Sequence, residues 1–391
     1  MADADGASLL ANPVTPGPPA RDRSAPAGPD PTTFHRRLPG YCVTPLRSLP
    51  ALAARLGVRE VLAKVETERF GLPAFKMLGA SWASYRSLCD RLGSEPAWST
   101  LDDLRAAFAP LGVVLTTATD GNHGRAVARF ARWVGLDAHI LVPAGTADAR
   151  IAAIRSEGAT VAVVDGTYDD AVRRAADVDP RTSVVVSDTA WEGYEAVPRW
   201  VIDGYRTIFS EVAEQLVGTG RTTPDLLAVP LGVGALGAAA GLYAAEAWTR
   251  DGRPRLLGIE PTSAACVRAA VAAGRIVEVP GPHRSIMAGL NCGLASPVAF
   301  PIVRERFHAF VAIEDRAVED AMRAFDAEGL EVGECAAGAL AGTEAALALD
   351  ADGVLGIDAS SSVLLLLTEG VTDPPGFARI VGHAPTGATA A

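Results

Sequence analysis

The sequence predicts an α/β fold built on mostly parallel sheets, and two observations carry this prediction. Short runs that are almost continuously apolar are typical of strands buried on both faces, and they alternate with stretches of helical period. The predicted strands are 61–66, 112–117, 137–143, 159–165, 183–188, 225–231, 254–260 and 362–368. The predicted helices are 76–90, 122–134, 147–157, 167–177, 235–249, 263–273 and 316–328. Ligand-binding loops are therefore expected at the carboxyl ends of these strands.

Composition and charge exclude several classes of protein. The chain has 391 residues, of which 49% are hydrophobic and 21% charged, so it can bury a core large enough for roughly two lobes. Its 46 acidic residues against 35 basic ones give a net charge of −11, which argues against nucleic acid or an anionic membrane as partner. No apolar run reaches about 18 residues and no signal-peptide pattern is evident, so we expect a cytoplasmic protein.

The cysteines and histidines do not predict a metal site. The five cysteines form no C-x-x-C pair and the six histidines no H-x-x-x-H pair. A Cys266–Cys292 bridge stays open, because spacing alone does not decide it. Residues 1–32 are rich in Pro, Ala, Gly and Asp and are expected to form a disordered or extended tail.

Lysine is scarce: Lys64 and Lys76 are the only two lysines among 35 basic residues. An amine can form an imine and a guanidinium cannot, so these two positions deserve a chemical explanation. Lys64 lies in a buried strand close to Glu66, which indicates a structural ion pair.

Lys76 lies in the segment RFGLPAFKMLGASWA (69–83), where a loop leads into a helix. A helix N-terminus and the apolar neighbours Phe75 and Met77 both favour the neutral amine. We therefore expect a lowered pKa, as an imine-forming lysine needs. The alternative is an ordinary surface lysine.

A glycine-rich loop follows the predicted strand 225–231. Gly232, Gly234 and Gly237 match G-x-G-x-x-G, and Glu260 ends the next strand, which together resemble the fingerprint of NAD-dependent dehydrogenases. Because bare N–H groups at a helix N-terminus bind any phosphate, a mononucleotide or pyridoxal phosphate is equally compatible. A plain tight turn is the remaining alternative.

Polar side chains follow three other predicted strands. Asp120 and Asn122 come after 112–117, Asp188 ends 183–188, and Thr368 ends 362–368. Two carboxylates at neighbouring strand ends are typical of proton transfer. Turn formation and helix capping are the alternatives for both acids.

Seven segments in a fixed order make the sequence resemble the fold-type II family of pyridoxal-phosphate enzymes, and within it the diaminopropionate ammonia-lyases. The resemblance runs from about Tyr41 to Pro374. The segments are TPLRSLPALAARLGV, RFGLPAFKMLGASWA, TATDGNHGRAVA, SDTAWEGYE, GVGALGA, IMAGLNCG and LTEGVTDP. The resemblance implies pyridoxal 5′-phosphate as cofactor, a small amino acid as substrate, and elimination of ammonia from 2,3-diaminopropionate to give pyruvate.

The resemblance also implies roles for single residues. Lys76 would bind the cofactor aldehyde, Asn122 its phenolic oxygen and Thr368 its pyridine nitrogen. Thr119, Asp120 and Gly121 would contact the substrate. Asp120 would take the α-proton of the D-isomer and Asp188 that of the L-isomer. The cofactor phosphate would be bound by Gly232, Val233, Gly234, Ala235 and Leu236.

The implied architecture has two lobes with mostly parallel open sheets, the smaller one inserted in the larger. Residues 33–85 and 200–391 would form the large domain, 86–199 the small domain, and two chains a homodimer.

Four positions depart from the family pattern: Val65, Pro73, Cys335 and Val371. They leave a second reading open, β-elimination or β-replacement on another amino acid, as in serine and threonine dehydratases or a specialised biosynthetic enzyme.

Overall fold

The computed structural model describes residues 6–14, 30–248 and 253–386 and contains two sheets. The strands are β1 (Ser8–Ala11), β2 (Leu46–Ser48), β3 (Glu60–Val65), β4 (Val114–Ala118), β5 (Asp137–Pro143), β6 (Thr160–Val164), β7 (Ser183–Val185), β8 (Leu226–Pro230), β9 (Arg255–Pro261), β10 (Ala309–Ile313) and β11 (Ser362–Leu367). The α/β prediction is confirmed. Every predicted strand is present, with its ends within three residues of those expected.

The α-helices lie between and after these strands. They are α1 (Pro31–His35), α2 (Pro50–Leu56), α3 (Met77–Leu92), α4 (Leu101–Phe108), α5 (Asn122–Val134), α6 (Asp148–Arg155), α7 (Tyr168–Ala176), α8 (Ala196–Gly218), α9 (Ala235–Glu246), α10 (Cys266–Ala273), α11 (Phe300–Arg306), α12 (Asp315–Ala327), α13 (Glu334–Leu349) and α14 (Pro374–Val381). All seven predicted helices are present, again with ends within three residues.

The chain divides into two compact units. The seven-stranded unit comprises Met1–Gly28, Val43–Glu68 and Ile208–Ala391, and the four-stranded unit comprises Pro29–Cys42 and Arg69–Thr207. These boundaries differ from the predicted ones, because 33–42, 69–85 and 200–207 cluster with the unit that contains 86–199. The division into a large and a small functional domain stays a prediction.

The seven-stranded unit has the strand order β1-β10-β9-β8-β11-β3-β2. The five inner strands are parallel, and β1 and β2 pair antiparallel at the edges. Strand β1 lies inside the segment 1–32 that we expected to be a tail. Every residue of β8 and β11 is buried, as a parallel sheet covered on both faces requires.

Helix α13 packs closely on this sheet, and its small residues allow that approach. A Cβ at Gly342 would come within 2.5 Å of the Ile259 side chain. Alanine and glycine dominate the helix, which has buried residues on all sides. It therefore shows no amphipathic pattern and was not predicted.

Lys64 of β3 is fully buried in the seven-stranded unit. Its Nζ atom donates to Oε2 of Glu211 at 2.7 Å, to the Thr44 carbonyl at 2.8 Å and to Oε1 of Gln215 at 3.0 Å. The Thr44 hydroxyl donates in turn to Glu66 at 2.6 Å. The structural ion pair that we predicted for Lys64 is confirmed, with Glu211 as a partner from a distant helix.

The four-stranded unit has the order β6-β5-β4-β7, and all its strands are parallel. Helix α5 lies against β4 and β5, where Gly124 permits close contact: a Cβ there would come within 2.3 Å of Thr119 and 2.6 Å of Ile140. The carboxyl ends of β4 and β7 are neighbours, so the segments after them share one edge of the sheet.

Candidate active site

Lys76 lies at the junction where the loop 69–76 enters α3, as the sequence predicts. Two arginines hold this loop. Arg69 is buried and donates to the Cys42 carbonyl at 3.0 Å, and Arg129 of α5 donates to the Phe70 carbonyl at 3.0 Å. Phe70 has a φ of +57°, a conformation that non-glycine residues seldom adopt unless their surroundings impose it. The position of Lys76 is thus fixed by its loop.

The amine of Lys76 forms an ion pair with Asp188. Nζ lies 2.8 Å from Oδ2, and the lysine side chain is 20% exposed while that of Asp188 is 7% exposed. Burial disfavours the ammonium, but the charges of Asp188 and Asp120 outweigh it and hold the pKa of Lys76 well above its usual range. The expected lowering of the Lys76 pKa is therefore wrong, because sequence inspection could not place Asp188 beside the amine.

Asp188 is an ionised carboxylate in this arrangement. Burial raises its pKa, but the neighbouring Lys76 ammonium reverses that effect, and the pKa lies below the usual range of an aspartate. The hydroxyl of Tyr168, the first residue of α7, donates to Oδ1 at 3.0 Å. Sequence reasoning missed Tyr168, and no motif signals it.

His123 of α5 is a second neighbour of this ion pair. Its Nε2–H donates to the carbonyl of Val186 at 2.8 Å, since a carbonyl only accepts. Its Nδ1 is buried and has no hydrogen-bond partner. Burial and the charge of Lys76 lower the pKa of His123 although Asp188 opposes them, so the imidazole is neutral at pH 7.

The predicted substrate loop follows β4 in the same unit. Thr119 is buried, and its Oγ1 accepts from the N–H groups of Gly121 at 2.9 Å and Gly124 at 3.0 Å. Gly121 has a φ of +149°, and Asn122 begins α5 directly after it. Asp120 and Asp188 thus follow the carboxyl ends of adjacent parallel strands, and both carboxylates act on the amine of Lys76.

The glycine loop belongs to the seven-stranded unit and connects β8 to α9. Gly234 has a φ of +99°, and no side chain caps the N-terminus of α9. A Cβ at Gly232 would approach the Gly289 carbonyl to 3.2 Å, so a larger residue does not fit without a shift. Backbone N–H groups of Ala235 and Leu236 at a helix start with no side-chain cap suit a phosphate.

Thr368 follows β11, which pairs in parallel with β8. Its side chain and the glycine loop therefore come after the carboxyl ends of neighbouring strands. Thr368 is 5% exposed, and its Oγ1 is buried without a hydrogen-bond partner. Such an orphaned hydroxyl is costly unless a ligand atom pairs with it, and a neutral ring nitrogen is a suitable partner.

Glu260 does not serve as the ribose acid of a dinucleotide site. Its two carboxyl oxygens accept from the N–H groups of Val267 at 2.8 Å and Arg268 at 2.7 Å, so it caps α10. Burial outweighs these bonds and raises the pKa of Glu260 to about 8. The dinucleotide fingerprint that the glycine loop resembles therefore lacks its ribose-binding acid.

In the seven-stranded unit, the start of α9 suits a phosphate and the hydroxyl of Thr368 suits a ring nitrogen. In the four-stranded unit, the amine of Lys76 suits an aldehyde. Bound pyridoxal phosphate supplies an electron sink for the carbanion at the substrate's α-carbon.

Disulfides, metal-binding groups and membrane-spanning helices were also considered in the sequence. The five cysteines all lie among the described residues and form no disulfide, so Cys266 and Cys292 are not bridged. Among residues 6–14, 30–248 and 253–386, only Asp326, Glu331 and His383 group closely enough to hold a metal ion, and they lie at the surface. The same part of the chain has no helix both long and apolar enough to cross a membrane.

Comparison with known proteins agrees with the geometry. The family model of pyridoxal-phosphate dependent enzymes matches residues 38–369. The diaminopropionate ammonia-lyase of Salmonella typhimurium is 34% identical over 375 residues, which cover 89% of this chain and 90% of the relative. The Escherichia coli diaminopropionate ammonia-lyase in complex with D-serine superposes with a TM-score of 0.85 at 31% identity, covering 96% of each chain.

The E. coli enzyme has also been solved with an aminoacrylate–PLP azomethine reaction intermediate, and that structure matches with a TM-score of 0.84 at 30% identity over 96% of each chain. Family model, sequence relatives and solved structures point to one assignment. The chain therefore belongs to the fold-type II pyridoxal-phosphate-dependent enzymes and, within them, to the diaminopropionate ammonia-lyase family.

Proposed function

We propose that this enzyme eliminates ammonia from 2,3-diaminopropionate to give pyruvate and ammonia. The observation that carries the proposal is the Lys76–Asp188 ion pair, in which an amine able to form an imine lies 2.8 Å from a buried carboxylate able to accept a proton. The matching relatives carry the name of this activity.

The family resemblance supports the following roles for single residues. Lys76 would bind the cofactor aldehyde covalently, Asn122 would donate to its phenolic oxygen, and Thr368 would pair with its ring nitrogen. The N–H groups of the glycine loop Gly232, Val233, Gly234, Ala235 and Leu236 bind its phosphate.

Proton removal from the substrate's α-carbon falls to the two carboxylates. Asp188 accepts the proton of the L-isomer and Asp120 that of the D-isomer. Thr119 and Gly121 shape the substrate loop. The β-ammonium group leaves as ammonia, taking the bonding electron pair with it, and the unsaturated product hydrolyses to pyruvate and a second ammonia. A carboxylate near the β-ammonium also helps to select a diamino acid over serine.

A substrate screen tests the proposal. Purified holoenzyme is incubated with L- and D-diaminopropionate, serine, threonine and cysteine, and the oxo-acid product is assayed. We expect diaminopropionate of both configurations to be the best substrate. Absence of pyruvate from diaminopropionate would refute the proposal.

The alternative function is β-elimination or β-replacement on another amino acid. It is favoured by Pro73 in the loop before Lys76 and by Cys335, a buried residue whose N–H donates to Glu369 next to Thr368. Turnover of serine or cysteine in the same screen, with none of diaminopropionate, supports this alternative.

We also propose a cytoplasmic homodimer. The family resemblance supports the dimer, and light scattering should then give a mass about twice the 40.4 kDa of the chain.

A further inference from the structure

Asp188 has two hydrogen-bond partners that differ in permanence. Oδ2 accepts from the amine of Lys76 at 2.8 Å, and Oδ1 accepts from the hydroxyl of Tyr168 at 3.0 Å. In the resting enzyme of the proposed function, the amine of Lys76 would be bound to the cofactor aldehyde, so its ammonium would not be available to keep Asp188 ionised until the substrate displaces it. The Asp188 carboxylate is buried and is then left with Tyr168 as a fixed donor. A buried carboxylate without a donor would take up a proton and cease to be a base.

A helix cap fixes the backbone position of Tyr168. It is the first residue of α7, directly after the N-cap residue Thr167, whose hydroxyl accepts from the N–H of Asp170. The Asp170 carboxylate accepts in return from the N–H of Thr167 at 2.7 Å and completes a capping box. Gly166 precedes it with a φ of +140°, where a Cβ would come within 2.5 Å of Asp170. The capping box thus fixes the backbone from which the Tyr168 side chain extends.

Besides the amine of Lys76, the hydroxyl of Tyr168 donates a hydrogen bond to the Asp188 carboxylate. Burial raises the pKa of Asp188, whereas the charges of Lys76 and His123 and the hydrogen bond from Tyr168 lower it. Burial raises the pKa of Tyr194 and of Tyr205, so both phenols stay protonated. The hydroxyl of Tyr194 donates to the carbonyl of Val185 at 2.8 Å.

We propose that Tyr168 is a positioning residue that orients Asp188 and keeps it ionised as the base for the L-isomer. This inference rests on the proposed function and extends it to a stereospecific role. Tyr168 donates to Asp188, the base proposed for the L-isomer, so loss of its hydroxyl should lower turnover of the L-isomer more than that of the D-isomer.

The first experiment compares Tyr168→Phe with the wild type on both isomers. We expect kcat for L-diaminopropionate to fall about 10-fold or more, the size of one hydrogen bond to a charged group, while kcat for the D-isomer changes less than about 2-fold. The acidic limb of the L-isomer pH profile should move to higher pH, because the lost donor favoured the carboxylate. Equal loss on both isomers, or an unmoved L-isomer profile, overturns the proposal.

Tyr85→Phe is the matched control. Tyr85 is also a buried tyrosine of the four-stranded unit, and it packs among Phe34, Trp82 and Trp98. Its variant should leave the ratio of L- to D-isomer turnover unchanged. A ratio shift as large as that of Tyr168→Phe contradicts a specific role of Tyr168.

A second experiment needs neither cofactor nor turnover. Melting temperatures of the cofactor-free wild type, Tyr168→Phe, Asp188→Asn and the double variant form a double-mutant cycle. We expect the double variant to melt higher than the sum of the single shifts predicts, since both changes remove the same bond. Additive shifts overturn the proposal even if the enzyme acts on another amino acid. A wild type without diaminopropionate turnover refutes the proposed function instead.

Discussion

The two lysines of this chain form two ion pairs that differ in how completely their hydrogen bonds are used. Lys64 and Glu211 have fully buried side chains, and the ammonium of Lys64 meets three acceptors, Glu211, Gln215 and the Thr44 carbonyl. Each N–H of the ammonium thus has a fixed protein acceptor. Such a pair stabilises one conformation and offers nothing to a ligand.

The pair of Lys76 and Asp188 is only partly buried, and a neighbouring side chain can still form a hydrogen bond. The lysine side chain is 20% exposed, and the buried Nδ1 of the neighbouring His123 has no hydrogen-bond partner. The comparison teaches that burial of an ion pair does not by itself reveal its role. The structural pair of Lys64 matches its donors with fixed acceptors, whereas the proposed catalytic pair of Lys76 lies beside a buried nitrogen without a hydrogen-bond partner.

The largest expected effect comes from replacing each lysine with methionine. Lys76→Met removes the imine-forming amine, and pyruvate formation should fall to background with a folded protein. Lys64→Met leaves Glu211 as an unpaired buried charge, which should cost about 3–5 kcal/mol of unfolding free energy while turnover per folded enzyme persists. Urea unfolding and pyruvate assays check both variants. Residual turnover in Lys76→Met, or an inactive but stable Lys64→Met, would break the comparison.

The second effect tests the structural role of the Lys64–Glu211 pair. Adding Glu211→Leu to Lys64→Met replaces the whole buried pair by apolar side chains. We expect the double variant to recover at least about 1 kcal/mol relative to Lys64→Met, because the unpaired charge is gone. Urea unfolding at constant pH measures this recovery. A double variant as unstable as the sum of both single variants contradicts the account.

The third effect concerns the orphaned hydroxyl of Thr368. Thr368→Val should weaken binding of pyridoxal phosphate about 10-fold, and it should raise the unfolding free energy of the cofactor-free protein by about 1 kcal/mol, because a buried unpaired hydroxyl disappears. Thr343→Val is the control, since the Thr343 hydroxyl donates to the Ala339 carbonyl at 2.7 Å and its loss should destabilise. Equal destabilisation in both variants would show that the Thr368 hydroxyl has a protein partner.

The smallest effect is the pH dependence of the cofactor-free protein. The lowered pKa of Asp188 contributes stability that is present above its unfolded pKa of about 4 and is lost as pH falls through the folded value. The raised pKa of Lys76 contributes stability that is complete below about pH 10.4 and is lost as pH rises through the folded value. Asp188→Asn should remove the acidic loss in thermal melts. An unchanged acidic limb in that variant excludes Asp188 as its source.

The sequence was sufficient for the parts of the fold whose pattern is local. Strands such as Leu226–Pro230 and Ser362–Leu367 are continuous apolar runs, and a buried parallel strand is the natural reading of them. Helix α13 was missed because it is buried on all sides and has no polar face to mark its period. Strand β10 was missed although its five residues AFVAI are apolar, since a run this short carries little signal.

The candidate site divides in the same way. Lys76, Asp120, Asn122 and the glycine loop lie in motifs that local reading and resemblance both identify. The pKa direction of Lys76 and the role of Tyr168 depend on contacts that span 112 and 20 residues of chain. No spacing rule encodes such contacts, so only the folded structure shows that Asp188 reverses the effect of burial on the amine.

The chain contains only two lysines, so one measurement tests the central claim directly. Holoenzyme is reduced with borohydride, digested and analysed by mass spectrometry, with unreduced protein as control. We predict that the peptide containing Lys76 carries the mass of reduced pyridoxal phosphate and that the peptide containing Lys64 is unmodified. Cofactor attached to Lys64, or to neither lysine in a catalytically active preparation, would contradict the account.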